Sequence, residues 1–185
     1  MPNPLRVIVP GGIYHIWTHG SDERPLFVYD DDRRMFLALL ANVVKAHDLT
    51  CIAWCQMTNH HHLVIQTPDE SLPTALQELH GCYSCAFNRS HGRSAHLFRN
   101  RYGSRLIESD EDLLGACRYV AHNPCEAGMC RDPADWPWSS YRVSIGREPP
   151  PPFLADDAIG DALGGGEGWR DRYTRFVEGL PFAAL

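Results

Sequence analysis

The segment Met57–Gln66, MTNHHHLVIQ, places three histidines in a row at the head of an apolar run. An extended chain sends successive side chains to opposite faces. His60, His62, Val64 and Gln66 then share one face, and His61, Leu63 and Ile65 the other. Two imidazoles one residue apart can share a divalent ion, or can form a hydrogen-bonded pair on a half-exposed sheet. A second candidate lies in the helical pattern after Ser109. At the helical repeat, Leu113, Leu114, Cys117, Val120 and Ala121 merge into one apolar stripe, and Tyr119 falls almost opposite it. Asn123 stands four residues after Tyr119 and Gly115 four before, so an amide and an open position flank the phenol. Those residues fit an ordinary exposed tyrosine, or a phenol whose neighbouring surface is left open to a bulky ligand.

A third group lies between Phe87 and Ile107: Arg89, Arg93, Arg99, Arg101 and Arg105, with no Asp or Glu among them. His91, His96, Phe98 and Tyr102 are interleaved. Cations that track phosphates, mixed with rings that stack on bases, are what single-stranded nucleic acid requires. A solvated arginine-rich loop would read the same way in a chain with only one lysine, Lys45. The net charge of −6 argues against a nucleic-acid partner for the molecule as a whole, but phosphate contacts depend on local patches.

These residues need elements to hold them. GIYHIWTHG alternates and is rich in strand formers, and predicts a first strand. Asp30–Asp32 supply a helix start, after which Phe36, Leu39, Leu40, Val43 and Val44 recur at helical spacing. TCIAWCQ and HHHLVIQT predict two more strands joined tightly through MTN. From Ser71, Leu72, Leu76, Leu79, Tyr83 and Phe87 predict a second helix, and SRLIES a short strand. Ser109 and Asp112 form the pattern of a capping box opening a third helix to about His122, with Pro124 closing it. DWPWSSY is an aromatic loop suited to packing back on the body, and WRDRYTRFVEGL a last helix that docks. Strands interleaved with helices, some at hairpin-length spacing, predict an α+β fold with an antiparallel sheet of about four strands and helices packed on it.

The 185 residues, 44% hydrophobic and 22% charged, suit one globular body. We assign residues 1–146 to the main domain and 147–185 to a Pro/Gly-rich linker (Pro149–Pro152, then GGGEG) with a helical tail. No stretch has the length and apolarity of a membrane span or a secretory h-region, and a cytoplasmic location is expected. Seven cysteines without a secretory signal are expected as reduced thiols; Cys82 and Cys85, a C-x-x-C, are assigned to helix packing rather than zinc.

In order, GIYHIWTHG, MTNHHHLVIQ, FNRSHGRSAHLFRNRY, CRYVAHNPCEAGM and WPWSSYR resemble the REP-associated tyrosine transposases of the single-tyrosine HUH superfamily. The likeness runs from about Val7 to Gly146, and RYTRFVEGL is similar to the family's tail. The resemblance implies a ferredoxin-like sheet and cleavage and joining of single-stranded DNA at hairpin-forming palindromes, by a monomer or homodimer. On matching positions it implies Tyr119 as nucleophile and His60, His62 and Asn123 as ligands of Mg²⁺ or Mn²⁺. Arg89, Arg93, Arg99, Arg101 and Arg105 would contact DNA phosphates, with Phe98 or Tyr102 available to stack bases. No base that would activate Tyr119 is identifiable, with His122 and His61 as candidates. Some positions depart from the family's pattern: His61 where a hydrophobic residue is usual, MTNH for MPNH, Glu126 for arginine and Gly103 for lysine. The alternatives are a non-cleaving palindrome-binding regulator of the same fold and a zinc protein.

Overall fold

The computed structural model describes residues 8–179. The ends of both assigned regions, residues 1–7 and 180–185, including the last residue of the expected docking helix, lie outside them. Four strands form one antiparallel sheet: β1 (Ile13–His19), β2 (Thr50–Gln56), β3 (His60–Gln66) and β4 (Gly103–Ile107), in the order β2-β3-β1-β4. Because β1 and β2 both run antiparallel to β3, they are parallel to each other, and α1 (Asp30–Ala46) is the crossover between them. The helix α2 (Leu72–Ser90) connects β3 to β4 in the same way, giving the split βαβ pair of a ferredoxin-like fold. Behind them come α3 (Asp110–Glu126), α4 (Tyr141–Ser144), α5 (Asp157–Ala162) and α6 (Trp169–Val177). No helix among the described residues is long and apolar enough to cross a membrane.

The sheet separates two cores. Phe36, Leu40, Val43 and Val44 of α1 and Leu76, Leu79, Tyr83 and Phe87 of α2 pack on Tyr14, Ile16, Leu63 and Ile65. On the other face Leu113, Leu114, Cys117, Val120 and Ala121 of α3 pack on Ile52, Val64 and Ile107. The expected apolar stripes of α1, α2 and α3 are therefore the faces that seal the sheet. Ile159, Tyr173 and Val177 complete the second core, so α5 and α6 are built into the body rather than trailing from it.

The helix α3 starts and ends differently from the sequence expectation. Ser109 Oγ accepts from Asp112 N at 3.1 Å, but Asp112 pairs with Arg105 at 3.4 Å instead of reaching back to complete the box. Pro124 lies inside α3, which continues to Glu126. Proline removes one helical donor, a small loss this close to the helix end, and Gly128 at φ 70° then turns the chain. The continuation keeps Asn123 in regular helix, where it is 7% exposed.

The aromatic loop packs as expected. Trp136 Nε1 donates to Gln56 O at 3.1 Å, and the Arg33 guanidinium lies over the rings of Phe27, Trp136 and Trp138. All seven cysteines are free thiols. Cys51, Cys55 and Cys117 are buried, whereas Cys82 and Cys85 are both exposed on α2, so packing does not account for that pair.

Candidate active site

Alternation along β3 holds. His61 is fully buried on the α1/α2 face, its Nε2 3.1 Å from His80 Nε2 and its ring 4.7 Å from that of Phe36. His60 and His62 face α3, with ring centroids 5.1 Å apart. From α3, Tyr119 presents its ring 5.4 Å from His62, and one turn later Asn123 Oδ1 stands 2.9 Å from His60 Nε2. The four side chains named from the sequence thus meet at one place. A cleft of about 410 Å³ opens there, lined by His60, His62, Tyr119, Arg105 and Gly115 among others. Tyr119 is 44% exposed, and a Cβ added at Gly115 would meet nothing within 4 Å, so the phenol is open from its N-terminal side.

Each imidazole of the pair is held by its Nδ1. His60 Nδ1 is 2.9 Å from Asn59 Oδ1, and His62 Nδ1 is 3.0 Å from His15 Nε2. Such outer contacts fix ring orientation and tautomer in metal sites. With Nδ1–H donated outward, both Nε2 lone pairs remain. His62 Nε2 is buried without a hydrogen-bond partner among the described residues. On His60, Nε2 then faces Asn123 Oδ1, acceptor against acceptor, unless the proton moves to Nε2. A cation held between His60 Nε2 and Asn123 Oδ1, 2.9 Å apart, would resolve that conflict.

Electrostatics also favour neutral rings, the form that binds metal. Burial lowers the pKa of His60, opposed by its bond to Asn123, and lowers that of His62 further, helped by neighbouring His15, His60 and His19. Burial and then Arg105 push His15 down to about 4. Two imidazoles and one amide therefore fit a divalent ion that keeps open positions for substrate. Among the described residues no group of three or more His, Cys, Asp or Glu side chains is arranged to hold a metal ion by itself.

Sequence reasoning placed β1 but missed its residues at the site. His15, Trp17 and His19 share its α3-side face; His15 orients His62 and its ring lies 5.6 Å from Tyr119, while His19 stacks on His60 at 5.0 Å. The alternation applied to β3 would have found them, since H-x-W-x-H is the same signal. Gly103, opposite Trp17 in the sheet, also gains a reason: a Cβ there would come within 2.2 Å of the indole. Neither candidate base adjoins Tyr119. His122 Nε2 bonds Val177 O at 2.7 Å, and His61 lies across the sheet.

The arginines divide. Arg105 lines the Tyr119 cleft, and Arg99 and Arg101 line a neighbouring cavity of about 450 Å³ with Trp17 and His19. Ser21 N donates to Leu97 O and Arg99 N donates to His19 O, both at 2.9 Å, which ties this segment to the end of β1. Arg89, at the end of α2, is exposed, and Arg93 lies over Phe87 at 5.6 Å; both stand apart from these cavities. Tyr102 is only 6% exposed and Phe98 is packed against the core, so neither offers an open stacking face, although both line a cavity.

Comparison with known proteins agrees with this geometry. A REP-associated tyrosine transposase assigned in Haemophilus influenzae is 24% identical over 159 residues, covering 80% of this chain and 90% of its own. The solved structure of a REP-associated tyrosine transposase bound to a REP hairpin superposes with a TM-score of 0.70 at 19% identity, covering 85% of this chain and 93% of that one. The family of IS200-like transposases matches residues 9–123, a span that includes His60, His62, Tyr119 and Asn123. With more than half of its length matched, the chain belongs to the IS200-like transposases, within the single-tyrosine HUH superfamily that includes the REP-associated tyrosine transposases.

Proposed function

We propose that this protein is a metal-dependent endonuclease and strand transferase that cleaves and rejoins single-stranded DNA at hairpin-forming palindromes. The observation that carries the reading is the meeting of Tyr119 with His60, His62 and Asn123 in one open cleft. Its similarity to a transposase solved with a REP hairpin supports that substrate class.

His60, His62 and Asn123 would hold Mg²⁺ or Mn²⁺. When bound, the ion polarises the scissile phosphate and offsets charge as the transition state forms. Asn59 and His15 keep the two imidazoles in place, and Arg105 adds a fixed positive charge at the cleft wall. The Tyr119 hydroxyl gives its proton to solvent, to which the residue is open, and its oxygen forms a bond to phosphorus. The bond from phosphorus to the 3′ oxygen breaks, and that oxygen leaves as a 3′-OH after taking up a proton. The product is a 5′-phosphotyrosine that conserves the bond energy, so an incoming 3′-OH can displace Tyr119 and reseal the strand.

The test uses hairpin oligonucleotides drawn from palindromes flanking the gene, incubated with Mn²⁺ or Mg²⁺ and run on a denaturing gel. A protein–DNA adduct that requires metal and is lost in Tyr119→Phe is expected. Equal, tight hairpin binding by both proteins without any adduct would overturn cleavage in favour of a regulator.

A further inference from the structure

The seven thiols are unequally placed. Three are buried in the cores and two are exposed on α2, but Cys125 and Cys130 are half-buried and face each other, Sγ to Sγ at 3.3 Å. The end of α3 brings them together. Gly128 N donates to Cys125 O and Met129 N donates to Pro124 O, both at 2.9 Å, and Gly128 takes φ 70°. Paired bonds of this kind around a left-handed glycine form a Schellman cap, which reverses the chain in a fixed geometry. Cys130 is the next residue, so the cap returns its sulfur to the last turn of the helix.

Two comparisons set this pair apart. A sulfur–sulfur bond is about 2.05 Å long, so the contact at 3.3 Å leaves a gap small enough for side-chain rotation to close. Cys82 and Cys85, by contrast, stand three residues apart in the middle of α2. Helical neighbours at that spacing hold their Cβ atoms about 5–6 Å apart, whereas a disulfide needs about 3.5–4.5 Å. The exposed pair therefore cannot bridge without unwinding its helix. Access to the half-buried pair is open, because Glu126, Ala127, Gly128 and Met129 between its members are all exposed.

We propose that Cys125 and Cys130 form a reversible disulfide when the protein meets hydrogen peroxide, a bridge that staples the segment after Gly128 to the end of α3. One thiol takes an oxygen from peroxide to become a sulfenic acid, and the other peroxide oxygen leaves as water. The second sulfur then attacks the first, and the hydroxyl leaves with the second thiol's proton as another water. Two thiols lose two electrons in all, and one peroxide becomes two waters. A small dithiol reverses the bridge by exchange. Burial and then the bond to Cys125 raise the Cys130 thiol to about 12, so proximity rather than acidity favours closure. The staple holds the turn in which Asn123 O accepts from Ala127 N at 3.1 Å, and it requires no reading of what the cleft does.

The test treats the full chain with hydrogen peroxide, counts free thiols by alkylation and maps linkages by mass spectrometry of unreduced peptides. Wild type should lose two of its seven thiols to one Cys125–Cys130 link, and a dithiol should restore both. Cys125→Ser and Cys130→Ser should each abolish the link, while the double variant Cys82→Ser/Cys85→Ser should keep it. Hydrogen exchange at the Gly128 and Met129 amides should slow about tenfold or more in the oxidised protein, the scale of closing a short loop. A link between Cys82 and Cys85, sulfinic acid without any link, or seven thiols still free after a small thiol in the same tube is oxidised would overturn the bridge. A mapped bridge with unchanged amide exchange would overturn the staple.

Discussion

The strand β3 sends histidines to both faces of one sheet, and the two faces treat them differently. His61 and His62 are both buried, both have their pKa pushed down by desolvation, and both leave one ring nitrogen without a partner: Nδ1 on His61, Nε2 on His62. An orphaned nitrogen is therefore not by itself a ligand. His61 is enclosed by core, against Phe36 and His80, whereas His62 faces a cleft shared with Tyr119 and close to a second imidazole and an amide. What turns a buried imidazole into a candidate ligand is the company of other donors around open space.

The comparison breaks most sharply by deleting one imidazole from each face. His62→Leu should reduce metal-dependent adduct formation by about a thousandfold or more, the scale of removing transition-state charge stabilisation. His61→Leu, which installs the family's usual hydrophobic residue and removes an unsatisfied buried nitrogen, should leave the adduct rate within a few-fold of wild type. Equal losses in both variants, measured on protein that melts like wild type, would mean that the two faces are not functionally distinct.

Acid should expose the closed face next. Burial pushes His80 down to about 4 from an ordinary value of 6.5, and lowers His61 as well. Between those limits the unfolded chain binds a proton on His80 that the folded chain does not. Stability is thus complete above pH 6.5 and declines as the pH falls toward 4, by about 3 kcal/mol from His80. Urea denaturation across that range should show the decline, and His80→Leu should flatten it. An unchanged slope in that variant would refute the assignment. On the open face, His15→Ala should weaken Mn²⁺ binding by about 10- to 100-fold, because it releases His62 Nδ1 rather than removing a ligand. Calorimetric titration with Mn²⁺ reads this without DNA, and wild-type affinity would show that His15 does not orient His62.

The elements and the faces that bring His60, His62, Tyr119 and Asn123 together were legible in the sequence because each obeyed a local period. Alternation placed His60 and His62 together, and the helical repeat set Tyr119 off the apolar stripe and Asn123 beside it. The extension of α3 past Pro124 was not legible, because proline near a helix end removes too little to stop it. The open stacking role given to Tyr102 failed for a tertiary reason: the segment before β4 turns that ring into the core. His15 was missed although its signal was present, since its role appears only when β1 pairs with β3 and sets it beside His62.

The smallest expected effect is also the one that tests why a helix would forgo a side chain beside Tyr119. Gly115 is exposed within α3, and a methyl group there would touch nothing. Gly115→Ala should therefore raise stability by about 1 kcal/mol through helix propensity alone. If the gap exists to admit the DNA strand past Tyr119, Gly115→Leu should keep that gain in thermal melts while lowering the adduct rate, with metal affinity unchanged because His60, His62 and Asn123 are untouched. A bulky residue that leaves the adduct rate at its wild-type value would show that the strand approaches Tyr119 from elsewhere. The glycine would then be a weakness in the helix that substrate binding does not explain.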